Sequence, residues 1–203
     1  MTSGAAEWDR RFAEQTWSND PDPLLVEMVG GLPAGEAIDL GCGPGRNAIW
    51  LAQQGFRVTG VDSSRVGLRQ ARERARAAGL DLNLLAADLT KLQLPAGSFD
   101  LVVVANIHPG PDGLAALLER AARGLRADGH LFVVGHHLDA LGHDGPPRAE
   151  LLYTEGRLLE ATPKSLVVER LATVKRDGSP VDHGGHDKVV LLWAAQGAGR
   201  TRP

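Results

Sequence analysis

The sequence predicts an α/β fold: a doubly wound, mostly parallel sheet that ends in an antiparallel hairpin strand. Three observations predict it. From residue 36 onward, short apolar runs alternate with segments of helical periodicity. Several of those runs are apolar nearly throughout, as strands covered on both faces must be. The last third breaks the alternation, with two strand-like runs joined by a loop. Right-handed crossovers then wind helices onto both faces of the parallel part.

The elements follow in order. Residues 5–15 read as a short helix carrying Trp8 and Phe12, with Trp17 in a polar link. Pro21-Asp22-Pro23 punctuates, and residues 24–29 start a second helix that Gly30-Gly31 stops. The first strand is expected over 37–40 and the next helix over 46–54, with Gly55 as its C-terminal stop. Strand 56–61 ends in Asp62, and Ser63 and Ser64 can cap helix 65–78, which Gly79 ends. Strand 82–87 ends in Asp88. A loop containing Pro95 leads to the strongly apolar strand 99–105, which ends in Asn106. Helix 114–125, a turn at Asp128-Gly129 and strand 130–135 follow. Beyond a Gly- and Pro-containing loop at 138–148 come a short helix near 154–161 and strands 165–174 and 188–195. The expected division is a helical N-terminal segment 1–35, a main domain 36–196 and a disordered tail 197–203.

Composition excludes several classes. The 203 residues suit one domain with small additions, and a hydrophobic share of 43% is ordinary for a soluble globular chain. A net charge of −3 gives no general attraction to nucleic acid or anionic membranes, so neither is an expected partner. The five arginines within 65–76 read as a solvated helix face. The lone Cys42 cannot form an internal disulfide. The N-terminus lacks a signal-peptide apolar core, and no run is long enough to span a bilayer. A cytoplasmic location is expected.

The chemistry centres on residues 37–45, AIDLGCGPG. An apolar strand ends in Asp39-Leu40, and Gly41, Gly43 and Gly45 follow at alternate positions before a helix. Such a loop admits a ligand close to the main chain at the carboxyl end of a parallel strand. The dinucleotide fingerprint is G-x-G-x-x-G, whereas the spacing here is G-x-G-x-G with an acid two places before it. S-adenosylmethionine (SAM) carries no phosphate; an acid suits its ammonium and loop N–H groups suit its carboxylate. Asp39–Gly45, Val61-Asp62, Ala87-Asp88 and 99–106 together resemble the class I SAM-dependent methyltransferases, over roughly residues 36–135.

That resemblance implies a Rossmann-like methyltransferase sheet, SAM as cofactor and the small-molecule branch of the superfamily, of which the tellurite-resistance and thiopurine types are the nearest. Residues 1–35 become a lid over the cofactor. Asp62 is placed for both ribose hydroxyls with Ser63 beside it, Asp88 for the adenine amine with Leu89 beside it, and Asp39 for the ammonium. Asn106 and Ile107 border the methionine and the transferred methyl. The Asn-Pro-Pro-Tyr-like signature of nucleic-acid amino-methylation is absent, since the strand ends Ala105-Asn106-Ile107-His108. The remaining readings are an NAD(P)-dependent oxidoreductase, which needs a parallel terminal strand, and a non-catalytic SAM-binding protein.

Six of seven histidines fall on the expected ligand rim: His108, His136, His137, His143, His183 and His186; His130 falls at the opposite edge. A proton acceptor or substrate-orienting group is expected among them, with His108 and His137 first. A metal site from His136 or His137 with His183 and His186 matches no zinc spacing, so no metal is expected. Oligomeric state is not legible.

Overall fold

The computed structural model describes residues 4–143, 145–176 and 188–197. Among the described residues, seven strands form a single sheet in the order β3-β2-β1-β4-β5-β7-β6. They are β1 (Glu36–Leu40), β2 (Arg57–Asp62), β3 (Asn83–Ala86), β4 (Phe99–Ala105), β5 (Leu125–His136), β6 (Leu166–Lys175) and β7 (Lys188–Gln196). The first five are parallel. The last, β7, runs antiparallel and enters between β5 and β6. The expected terminal hairpin is therefore present, and the parallel last strand that a dinucleotide fold requires is not.

Burial explains the apolar strands. Alternate residues of β4, β5 and β7 face opposite cores. Leu101, Val103, Phe132, Val134, Leu191 and Trp193 pack on one face with α2 (Pro23–Val29), α3 (Arg46–Gln53) and α4 (Arg65–Ala77). Val102, Val104, Leu131, Val133, Val190 and Leu192 pack on the other with α5 (Pro111–Gly124) and α6 (Glu155–Ala161). The middles of these strands, 101–104, 131–134 and 190–192, are buried on both faces, which is why they are apolar throughout.

Differences from the expected elements are local. The fifth strand begins at Leu125, straight after its helix, because Leu125 pairs with Phe99 before the chain makes an excursion and resumes with Leu101 opposite His130. The Asp128-Gly129 turn lies inside that excursion, with Asp128 at φ 61°. Helix α5 starts at Pro111 rather than 114, since proline is tolerated in a first turn. The proposed tail, apart from Gly197, lies outside the described residues.

Helix α1 (Ala5–Glu14) packs on α4. Its Asp9 Oδ1 accepts from Ser64 Oγ at 2.6 Å and from Val66 N at 3.0 Å, both at the start of α4. Phe12 is buried, flanked by Trp8 and Trp17 with ring centroids 5.5 and 5.1 Å away. Among the described residues no helix is long and apolar enough to cross a membrane.

Candidate functional site

The middle of the sheet builds the site. Strand β1 lies between β2 and β4, so Leu40 is paired with both Val61 and Val104. The chain then turns within one loop. Gly41 N and Cys42 N both donate to Val61 O, at 2.7 and 3.0 Å, and Gly45 N donates to Cys42 O at 2.9 Å. Gly41, Gly43 and Gly45 have φ of 79°, 50° and 87°, the left-handed region that a side chain strains. Space requires them too. A Cβ on Gly43 would stand 2.9 Å from Phe12 Cζ, one on Gly45 2.9 Å from Ala71 Cβ, and one on Gly41 would meet the Ile107 side chain. Protein side chains from three directions thus close on the loop. Cys42 is buried, its Sγ packed against Gly60, and burial pushes its thiol pKa well up.

The acids at the strand ends have distinct environments. Asp39 is 2% exposed, and burial pushes its pKa up to about 7; Arg46 opposes the shift and Asp62 adds to it. Asp62 is 8% exposed. Its Oδ2 accepts from Gly43 N at 2.8 Å and its Oδ1 from Ser64 N at 2.7 Å, so it ties the glycine loop to the head of α4. Burial raises its pKa while backbone N–H groups of Ser64, Gly43 and Ser63 pull it down. Each carboxylate oxygen has a second lone pair, so capacity for a ligand donor remains. Ser64, not Ser63, caps α4, accepting from Gly67 N at 3.0 Å. Asp88 is half-exposed and anchors a turn, its Oδ1 accepting from Thr90 N at 2.9 Å and Thr90 Oγ1 at 2.7 Å. Those bonds hold its carboxyl below the usual range. Leu89 approaches the loop, with Cδ1 3.7 Å from where a Gly41 Cβ would stand.

On the other side of the loop, Asn106 takes φ 58°. Its N donates to Val134 O at 2.8 Å and its Oδ1 accepts from Arg176 Nη2 at 3.0 Å. His108 follows. Its Nδ1 lies 2.9 Å from Leu151 O; a carbonyl only accepts, so Nδ1 carries the proton. Its Nε2 is then a lone pair, buried with no hydrogen-bond partner among the described residues. The ring sits 4.8 Å from Tyr153 and 5.5 Å from His136. Burial lowers its pKa to about 4, with His136 and Arg176 adding to the shift and the Leu151 bond opposing it. The Tyr153 hydroxyl donates to Ile107 O. Gly135 makes room for both rings, since a Cβ there would stand 2.5 Å from Tyr153 Cε2 and 3.0 Å from His108 Cε1.

The histidines divide. His137 Nδ1 accepts from Asp139 N at 3.1 Å and caps a short turn, Leu138–Ala140, so its side chain has a structural task. His130 stacks on Trp193 at 4.6 Å and is paired with Leu101 near the start of β4, toward the opposite end of the strands from the glycine loop. His183 and His186 lie outside the described residues, and among the described residues no three metal-ligating side chains cluster.

Sequence reading gave no site role to four residues: Asp9, Asp22, Tyr153 and Arg176. Asp22 is completely buried, and its Oδ1 caps α2 by accepting from Leu24 N at 3.1 Å. Its Oδ2 lies 3.0 Å from Arg176 Nη1 and 3.5 Å from Arg46 Nη2. The Asp-Pro pair at a helix start is a cap signal in the sequence; nothing there announces the arginine partner, 154 residues away.

Residues 37–129 match the model of the methyltransferase domain family. The chain is 31% identical over 111 residues to a ubiquinone biosynthesis O-methyltransferase of Methylobacterium sp. (strain 4-46), covering 55% of this chain and 43% of that one. It is 34% identical over 146 residues to a trans-aconitate 2-methyltransferase of Afipia carboxidovorans, covering 70% and 54% respectively. The chain thus spans about half the length of these curated relatives. Its fold is that of a solved SAM-dependent methyltransferase from Methanosarcina mazei, with a TM-score of 0.66 at 19% identity, covering 84% of this chain and 97% of that one.

Proposed function

We propose that this chain is a SAM-dependent methyltransferase that transfers a methyl group to a small-molecule acceptor. The observation that carries the reading is the loop 41–45, with three left-handed glycines set against the buried carboxylates Asp39 and Asp62 in mid-sheet. The family match over 37–129 and the relatives' names support it. The antiparallel β7 counts against a dinucleotide-dependent oxidoreductase. The relatives named above are a ubiquinone biosynthesis O-methyltransferase and a trans-aconitate 2-methyltransferase, neither of the tellurite-resistance or thiopurine type.

The residues fit such a cofactor. The glycines put no side chain of their own between a ligand and the main chain, and the Ile107 tip that covers Gly41 is a flexible side chain that can give way. Asp62 would accept from the ribose hydroxyls through its remaining lone pairs, with Ser63 alongside. Asp88 would take the adenine amine, with Leu89 as a wall, and Asp39 would face the ammonium. Helices α1 and α2 form the lid, with Phe12 on the loop. When bound, SAM supplies an electrophilic methyl group on a cationic sulfur.

His108 is the proton acceptor. Its ring is neutral at neutral pH, so it adds no repulsion to a cationic centre, and its buried Nε2 lone pair lacks a partner among the described residues. A base of pKa about 4 is weak against a resting hydroxyl. The proton on a nucleophile becomes strongly acidic as that atom shares its lone pair with carbon, so a weak base suffices late in the transfer. Alignment and exclusion of water carry the rest of the rate enhancement.

The test is ligand stabilisation of the full chain by SAM, S-adenosylhomocysteine, NAD and NADP. A ligand at about 100 times its Kd adds about 2.7 kcal/mol. Stabilisation by SAM or S-adenosylhomocysteine is expected; stabilisation by a dinucleotide alone overturns the reading.

A further inference from the structure

Asp22, Arg176 and Asn106 form a relay from the N-terminal segment to the site. Asp22 is wholly buried and fixed by Leu24 N. Its Oδ2 accepts from one terminal nitrogen of Arg176 at 3.0 Å, and the other terminal nitrogen donates to Asn106 Oδ1 at 3.0 Å. Asn106 follows the last residue of β4 and precedes Ile107, whose side chain lies against Gly41, and it adopts a left-handed conformation that turns its side chain out of the strand pattern.

A guanidinium has donors and no acceptor, so it selects which end of an amide it meets. Held by Arg176, Asn106 must turn its oxygen inward. Its Nδ2 then faces away from Arg176, half-buried and with no hydrogen-bond partner among the described residues. Without the arginine the amide could flip, and the same side chain would present an acceptor. The geometry points to Arg176 as a positioning residue that holds Asn106 with its N–H donors toward the ligand, matched to the carboxylate of the cofactor's amino-acid end. This rests on the SAM reading above and assigns the atom that meets that carboxylate.

The chemistry accounts for an arginine here. A lysine would supply the charge beside Asp22, but its ammonium cannot span a carboxylate and an amide as a planar fork does. The buried Asp22 gives the guanidinium a fixed anchor, so the amide is oriented before any ligand arrives.

Calorimetric titration of the full chain with S-adenosylhomocysteine, its decarboxylated analogue and 5′-methylthioadenosine tests the relay. Two variants are used. Arg176→Lys keeps the charge next to Asp22, and Asn106→Gly keeps the left-handed backbone while removing the amide. Each is expected to weaken S-adenosylhomocysteine at least tenfold and to leave the other two ligands within about twofold. Equal losses for all three ligands would make Arg176 merely structural, and unchanged S-adenosylhomocysteine affinity would remove Asn106 from the carboxylate; either result overturns the relay. Failure of the wild-type chain to bind any of the three overturns instead the SAM reading beneath it.

Discussion

Replacing Asp39 by asparagine should stabilise the ligand-free protein at neutral pH and flatten its pH dependence. The carboxyl has a folded pKa of about 7 against an ordinary 3.8, chiefly because it is buried. An acid whose folded pKa lies above its unfolded value binds more protons folded than unfolded. Stability therefore falls as pH rises from about 4 to about 7, then levels off. The shift spans about three units, each worth about 1.4 kcal/mol, so the ionised carboxylate costs at most about 4 kcal/mol at pH 7.5. Asparagine is nearly isosteric and keeps an oxygen for the Ala48 N–H that Asp39 engages. Urea unfolding of both proteins at pH 4.5, 6.0 and 7.5 should show the curves diverging as pH rises. Parallel curves, or an asparagine variant less stable at pH 7.5 than at 4.5 by the same margin as wild type, would refute the argument. A bound ammonium would reverse the cost: SAM affinity should rise with pH across the same window in wild type and not in the variant.

Two further measurements bear on the loop and on His108. Gly43→Ala should destabilise by about 1–2 kcal/mol from the left-handed backbone alone, and by more because the new Cβ meets Phe12 Cζ. In a Phe12→Ala background the excess should vanish, as a double-mutant cycle would register; an undiminished cost would put the whole effect in the backbone. Nitrogen NMR of the His108 ring should show the Nδ1-protonated tautomer from pH 6 to 8 and a titration midpoint near 4. A midpoint at the ordinary 6.5 would remove the buried neutral ring.

The legible part of this molecule was local. An apolar strand facing two cores, a glycine run that must turn, and acids at successive strand ends each write themselves into contiguous residues. Thus Asp39, Asp62 and Asp88 could be placed at one end of the sheet from spacing alone. What spacing could not reveal was direction. It ranked His108 and His137 together, yet one ring donates to Leu151 and leaves a buried lone pair while the other caps a turn. It offered Ser63 and Ser64 as equivalent caps, and the approach of Asp9 distinguishes them. Tyr153 and Arg176 reach the site only through long-range docking of β6 and the turn before α6, and no local pattern encodes that.

The position of β7 has a consequence for biosynthesis. Because residues 188–196 enter between β5 and β6, neither of those strands has its final neighbour until this late segment is made. A nascent chain that ends before it exposes two unpaired edges at once, one of them the wholly apolar run Leu131–Val134. Open edges of that kind recruit other chains. Premature termination near residue 187 should accordingly yield aggregates or degradation rather than a slightly smaller sheet. Made after both of its neighbours, β7 is the strand that covers the facing edges of β5 and β6.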